Sequence, residues 1–207
     1  MEAMWMRFLP AIVHVRQILA GQTLGDIRML SADFGLQFAY DPAGRLFAPE
    51  LGGGALLDLG VYPVSLAHMV LGQPATIVSL ATMGRTGVDD QSGILLRYPQ
   101  GQIACLYTAM GVETPTEAAL TGTQGRLRMH APFYCTDELT LELPGQRARS
   151  FHHRRAGNGL HYQVLEVMAC LRQGRSESGV LPLDESLAVM ETLDAIRAQW
   201  GLRYPAE

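Results

Sequence analysis

The sequence predicts an α+β domain: an open, mostly antiparallel β-sheet with helices packed on one face. Three observations lead there. Residues 75–143 read as a succession of short strands joined by tight turns, and short connections between consecutive strands demand antiparallel pairing. Helical periodicity is confined to the two ends and to one apolar stretch after Gly52-Gly53-Gly54. No strand–helix–strand unit opens the chain and no G-x-G-x-x-G stands in it, so a dinucleotide-binding domain is not expected within residues 1–207.

In chain order, the apolar positions Met4, Phe8, Leu9, Ile12, Val13, Val15, Ile18 and Leu19 within residues 2–20 fit a buried amphipathic helix, with Pro10 in its first turn and Gly21 after its end. Residues 25–40, with Ile27, Met29, Phe34, Phe38 and Tyr40, read as a strand ending in the turn Asp41-Pro42-Ala43-Gly44. A helix over 53–71 follows; it bends at Pro63, which lacks the amide that bonds the Leu59 carbonyl. Strands at 77–80, 92–98 and 102–107 include a hairpin at Pro99-Gln100-Gly101, and 117–122 pairs with 125–129. Residues 138–143 alternate polar and apolar, the pattern of a half-buried strand. Residues 144–159 form a polar loop, 160–173 a helix, and Leu183 to Trp200 a last helix with Asp184 as its N-cap.

Composition narrows the function. A formal net charge of −4, with no run of either sign, speaks against nucleic-acid binding. No eighteen-residue stretch is uninterruptedly apolar, so no membrane span is expected, and the N-terminus is a poor signal peptide. Cys105, Cys135 and Cys170 lack C-x-x-C spacing and read as small core residues in a reducing compartment, with the cytoplasm as the default. All 16 basic residues are Arg. A mechanism that needs an amine therefore cannot be completed within this chain.

The segment Gly52-Gly53-Gly54-Ala55-Leu56-Leu57-Asp58-Leu59-Gly60-Val61-Tyr62-Pro63 is the most informative. It sets an acid and a phenol one helical turn apart, after a glycine hinge, in apolar surroundings. A phenol so placed is a candidate general acid/base. The competing reading of Tyr62 is a helix anchor with a buried hydrogen bond. Asp58 either orients the reacting groups or supports the first turn of the helix. Gly53 and Gly54 either admit a cofactor, let neighbouring backbone approach, or supply positive φ in a turn.

This segment, together with Glu2-Ala3-Met4-Trp5-Met6-Arg7-Phe8-Leu9-Pro10, resembles the second domain of the Gfo/Idh/MocA oxidoreductases, closest to the dimeric dihydrodiol dehydrogenase and NADP-dependent D-xylose dehydrogenase branch. The tail agrees, through Glu177-Ser178, Leu181-Pro182-Leu183, Asp194-Ala195-Ile196-Arg197 and Gly201-Leu202-Arg203-Tyr204-Pro205. The resemblance implies a parent enzyme whose N-terminal half is a Rossmann domain carrying the glycine fingerprint and a catalytic lysine. On that reading the chain is the substrate-side domain alone, cut out or translated from a misplaced start.

The resemblance also implies roles. Tyr62 is the general acid/base and Asp58 its partner; NADP (or NAD) is bound mainly by the missing half, with Gly53 and Gly54 nearby. Trp5 and Phe34 resemble aromatic wall positions of the substrate pocket, against their plain reading as core. Arg7 either meets a hydroxyl-rich ligand or serves a solvated face or an ion pair. His161 opens a helix facing the pocket and is a substrate-contact candidate. The basic cluster Arg147, Arg149, His152, His153, Arg154, Arg155 is either an anion site or a solvated loop, and metal binding is not expected. The function expected is oxidation of a sugar or trans-dihydrodiol hydroxyl, inactive without the other half, in a homodimer formed through the open sheet face. The alternative is a free-standing, non-catalytic module that binds ligand or dimerises.

Overall fold

The computed structural model describes residues 1–205 and 207. Helix α1 (Pro10–Ala20) is preceded by a 3-10 turn, Trp5–Phe8. The helix expected over 2–20 is therefore broken. Pro10 has no N–H to carry a helix through, and it forces Leu9 into extended geometry (φ −66°, ψ 144°).

Eight strands form one sheet: β1 (Ile27–Gly35), β2 (Thr76–Met83), β3 (Asp89–Arg97), β4 (Ile103–Ala109), β5 (Ala118–Gly122), β6 (Gly125–Met129), β7 (Glu138–Glu142) and β8 (Arg149–His152). Their order is β2-β3-β4-β1-β5-β6-β7-β8. Two antiparallel meanders thus flank β1, which runs parallel to β4 and antiparallel to β5. β1 stops at Gly35, short of the expected 40. A Cβ at Gly35 would lie 2.4 Å from Thr114 Cγ2, so the chain passes Thr114 closely before leaving the sheet. The edge strand β8 lies inside the expected polar loop; only Phe151 supplies it with an apolar, partly buried side chain.

Alternate residues of β3, β4 and β7 are buried, the mark of a sheet covered on one face. The covered face carries Leu30, Ile94, Leu96, Leu106, Leu120, Leu127, Leu139 and Leu141 into one core. The other face leaves Val78, Leu80, Leu95, Ile103 and Tyr107 exposed.

The helix expected over 53–71 divides into a π-helical turn, Leu56–Gly60, and α2 (Val61–Leu71). The wide turn sits where Pro63 withdraws its amide from the ladder, and π-turns of this kind cluster at functional sites. α2 packs on β1, β4 and α4 (Leu183–Ala198). Pro49–Leu71 is long and apolar enough to span a bilayer, but 61% of its most apolar window is buried, as in a core helix. The N-cap of α4 is Pro182, with Asp184 two residues on in the first turn and making no side-chain cap bond. α3 (His161–Arg172) lies against the Trp5–Phe8 turn. Of the three cysteines only Cys170 is buried; all are free thiols.

Candidate active site

The start of α2, the end of β1, the Trp5–Phe8 turn and a second 3-10 turn, Phe133–Cys135, meet at one point. There the Trp5 Nε1–H donates to the Tyr62 hydroxyl oxygen at 3.1 Å. The Phe34 ring meets Tyr62 edge-on at 5.4 Å and stacks on Tyr134 at 4.4 Å and 15°. Tyr134 also tilts against Tyr62 at 5.4 Å and meets Trp5 edge-on at 6.1 Å. The Tyr62 hydroxyl is thus an acceptor for Trp5, and among the described residues none accepts its proton. A half-buried phenol with a fixed donor and an uncommitted proton can exchange that proton with a ligand.

Tyr134 was invisible to sequence reasoning. The only signal was the aromatic pair Phe133-Tyr134 in the connection between β6 and β7. Burial, followed by the neighbouring Cys135 and Tyr62, pushes its phenol pKa up, so it stays protonated near neutrality. Its turn is held from below by Arg155, which donates to the Cys135 carbonyl and to Asp137 Oδ1. Part of the basic cluster is therefore structural. His153 is likewise committed, to His14 at 2.8 Å, and Arg149 lies over the Phe151 ring.

The other candidates lie outside this cluster. Asp58 sits in the π-turn, where the wider pitch alters the one-turn alignment with Tyr62 that a regular helix predicts. Its carboxylate accepts from Arg45 Nη1 at 2.5 Å, and no bond to Tyr62 occurs among the described residues. That bond is the chief reason the Arg45 pKa is raised. Arg7 is only 1% exposed, which rules out a solvated face and leaves no open path to a ligand. Its Nε donates to Ser65 Oγ at 3.0 Å, and its Nη2 donates to the Ser65 carbonyl at 2.7 Å and to Glu185 at 2.5 Å. Burial pulls its pKa down while Glu185 opposes. Arg7 is thus a tie between the first turn, α2 and α4. His161 is exposed and rests on Tyr162, with ring centroids 4.1 Å apart, rather than on the Tyr62 cluster.

The glycine hinge is filled from within. A Cβ at Gly53 would stand 2.8 Å from the Leu46 carbonyl oxygen, and one at Gly54 (φ +120°) 2.3 Å from Asp89 Oδ1. The Tyr204 hydroxyl donates to the Gly53 carbonyl at 2.7 Å. Asp89 is completely buried; its Oδ2 accepts from the Leu56 amide at 2.7 Å, at the start of the π-turn. Its Oδ1 has no hydrogen-bond partner among the described residues, and burial pushes its pKa up to about 7. A carboxyl this poorly solvated beside the glycines is the opposite of an anion cradle. The hinge at Gly53 and Gly54 therefore does not fit a dinucleotide pyrophosphate. Among the described residues no cluster of three or more potential metal ligands occurs.

Residues 12–128 match the model of the GFO/IDH/MocA C-terminal domain, and the chain belongs to that family of oxidoreductases. It is similar to trans-1,2-dihydrobenzene-1,2-diol dehydrogenase of Homo sapiens, 36% identical over 217 residues, covering 100% of this chain and 64% of the relative. The Sus scrofa enzyme of the same name is 34% identical with the same coverage. The chain thus spans slightly less than two thirds of the length of these relatives. Among solved structures, KijD10, a 3-ketoreductase from Actinomadura kijaniata in complex with TDP-benzene and NADP, superposes with a TM-score of 0.76 at 25% identity, covering 95% of this chain and 60% of that one. Aldose-aldose oxidoreductase from Caulobacter crescentus shares the fold with a TM-score of 0.83 at 21% identity, covering 96% and 61%.

Proposed function

We propose that this chain is the substrate-side domain of an NAD(P)-dependent oxidoreductase that oxidises a hydroxyl of a sugar or trans-dihydrodiol. The observation that carries the reading is the Tyr62 hydroxyl, fixed by Trp5 and walled by Phe34 and Tyr134, with its own proton uncommitted. In this role Tyr62 first releases its own proton to water, and the resulting phenolate, held by the Trp5 donor, takes the substrate hydroxyl proton during oxidation. The half-buried Tyr134 ring offers an apolar surface that a ring-bearing diol can lie against, and Phe34, only 3% exposed, backs it from the core. Asp58 fixes Arg45 at the rim, and Arg7 secures the seat of α2 from behind. The nucleotide, NADP or NAD, is held mainly by a domain outside these 207 residues, and the isolated chain is inactive on this reading.

Partner and place follow the same reading. The outer sheet face, with Leu80 80% exposed and Val78 57%, is proposed as the seat of a second copy in a homodimer. A cytoplasmic location is proposed with it, a reducing compartment being in keeping with three free thiols. A second reading, a non-catalytic module, is favoured by the filled glycine hinge and the lack of any Lys.

One experiment separates the two. In a chimera, this chain replaces the matching part of the human relative. The chimera is assayed for NADP reduction with trans-1,2-dihydrobenzene-1,2-diol and with D-xylose. Turnover of either supports the enzyme reading, whereas a folded, NADP-binding chimera inert toward both supports the module.

A further inference from the structure

Tyr134 rides on a single short turn, Phe133–Cys135, and two different groups hold the ends of that turn. At the front, the Phe133 amide donates to the Thr116 carbonyl at 2.8 Å. Thr116 has a φ of +56°, rare for a β-branched residue, and Asp33 Oδ2 keeps it there by accepting from its amide at 2.6 Å. Both residues are buried, so this anchor belongs to the core. At the back the anchor is Arg155, whose side chain is 27% exposed. Its Nη1 donates to the Cys135 carbonyl and to Asp137 Oδ1. Burial pushes the Tyr134 phenol and the Cys135 thiol up, and the Arg155 charge opposes that push at both. Arg155 lies in the connection from β8 to α3, which also reaches the Trp5 side of the site. A Cβ at Gly159 would stand 3.4 Å from Arg155 Cδ and 3.4 Å from Trp5 Cζ3. Other bonds secure the same connection. The His153 amide donates to the Asp137 carbonyl at 2.7 Å, and the Ala156 amide donates to the Tyr162 hydroxyl at 3.0 Å.

We infer that Arg155 is a positioning residue of the site, setting Tyr134 against Trp5 so that a ring-bearing substrate meets a fixed wall. The inference rests on the oxidoreductase reading above. Arg155 acts through the Cys135 carbonyl on one wall and through Gly159 on the other. Because Thr116 already holds the turn at Phe133, loss of Arg155 leaves the turn attached to the core but free to pivot about that end. The ring that swings is Tyr134, which stacks on Phe34 at 4.4 Å and meets Trp5 edge-on at 6.1 Å. Aromatic pairs of this kind change an equilibrium by roughly two- to twelvefold. Both bonds leave from one guanidinium nitrogen, so the ammonium of a lysine can replace them where a neutral side chain cannot.

The test compares Arg155→Ala and Arg155→Lys with wild type, in the chain alone and in the chimera described above. In the chain alone, NMR reads the indole N–H signals of the two tryptophans, Trp5 and Trp200. Arg155→Ala is expected to move or broaden the Trp5 signal and leave that of Trp200 in place, with the melting temperature lower by only about 2–4 °C. Arg155→Lys is expected to bring the Trp5 signal back. In the chimera, Arg155→Ala is expected to raise KM for the trans-diol about 3–10-fold against a kcat loss of about twofold, and Arg155→Lys to recover most of the KM. An unmoved Trp5 signal, or a kcat loss as large as the KM rise, would overturn the positioning role. So would failure of Arg155→Lys to recover either reading, or a fall of about 10 °C in both variants, which would make Arg155 a tie of the fold alone. A wild-type chimera that binds NADP but turns over neither substrate sinks the enzyme reading instead. The Trp5 signal of the chain alone then decides whether Arg155 sets the wall.

Discussion

Replacing Asp89 by Asn tests how the glycine hinge is built. Asp89 is fully buried with one oxygen unpartnered, and its pKa is raised from 3.8 to about 7 by burial. Between about pH 4 and pH 7 the folded state keeps a proton that the unfolded chain has released, so stability falls as pH rises through this window. The shift of about 3 units corresponds to a ceiling of roughly 4 kcal/mol lost by neutral pH. His68 opposes it. Burial lowers its pKa from 6.5 to about 4, so its contribution is present above pH 6.5 and fades as pH falls towards 4. Wild type is therefore expected to show a shallow pH profile made of two opposing slopes. Asp89→Asn keeps an oxygen for the Leu56 amide and removes the titration, leaving the His68 slope alone. Urea unfolding from pH 4 to pH 8 reads this directly as the difference between variant and wild type at each pH. That difference should move in favour of the variant by roughly 2–4 kcal/mol between pH 4 and 7. A flat difference curve would refute the buried, destabilised carboxyl and with it the account of the hinge.

Other expectations are simpler. Gly54→Ala drives a methyl group against Asp89 at a φ suited to glycine and should cost about 2–4 kcal/mol, visible as a lowered urea midpoint. Arg7→Ala leaves Glu185 without its partner and should cost about 2–4 kcal/mol; a loss below about 0.5 would show the tie to be ornamental. Leu80→Asp should convert a dimer to a monomer by sedimentation while leaving the melting temperature nearly unchanged; a monomeric wild type would remove the sheet-face interface.

The sheet was legible wherever one face was buried, because burial imposes a period of two; β3, β4 and β7 show it plainly. β8 was not legible, since Arg149, Ser150 and His152 are polar and only Phe151 faces inward. The parallel pairing of β1 with β4 was hidden as well: Phe34 and Thr108 are partners in register, 74 positions apart, and no local pattern records such a partner. Tyr62 stood out by motif and spacing, whereas Trp5 and Phe34 were named as pocket positions only through the family resemblance; the structure brings the three side chains together. Tyr134 needed the closing of the sheet to reach them, and Asp89 needed the hinge to fold onto it. Arg7 reads as a surface charge in sequence because only tertiary packing brings Ser65 and Glu185 to it.

The most direct test of the central claim compares Tyr62→Phe with Tyr134→Phe in the chimera under saturating NADP and diol. Loss of the Tyr62 hydroxyl is expected to lower kcat by about 10²–10⁴-fold with KM little changed. Loss of the Tyr134 hydroxyl, which serves the wall and not the proton, should alter kcat less than about tenfold. Equal turnover of Tyr62→Phe and wild type would contradict the assignment of the proton to Tyr62.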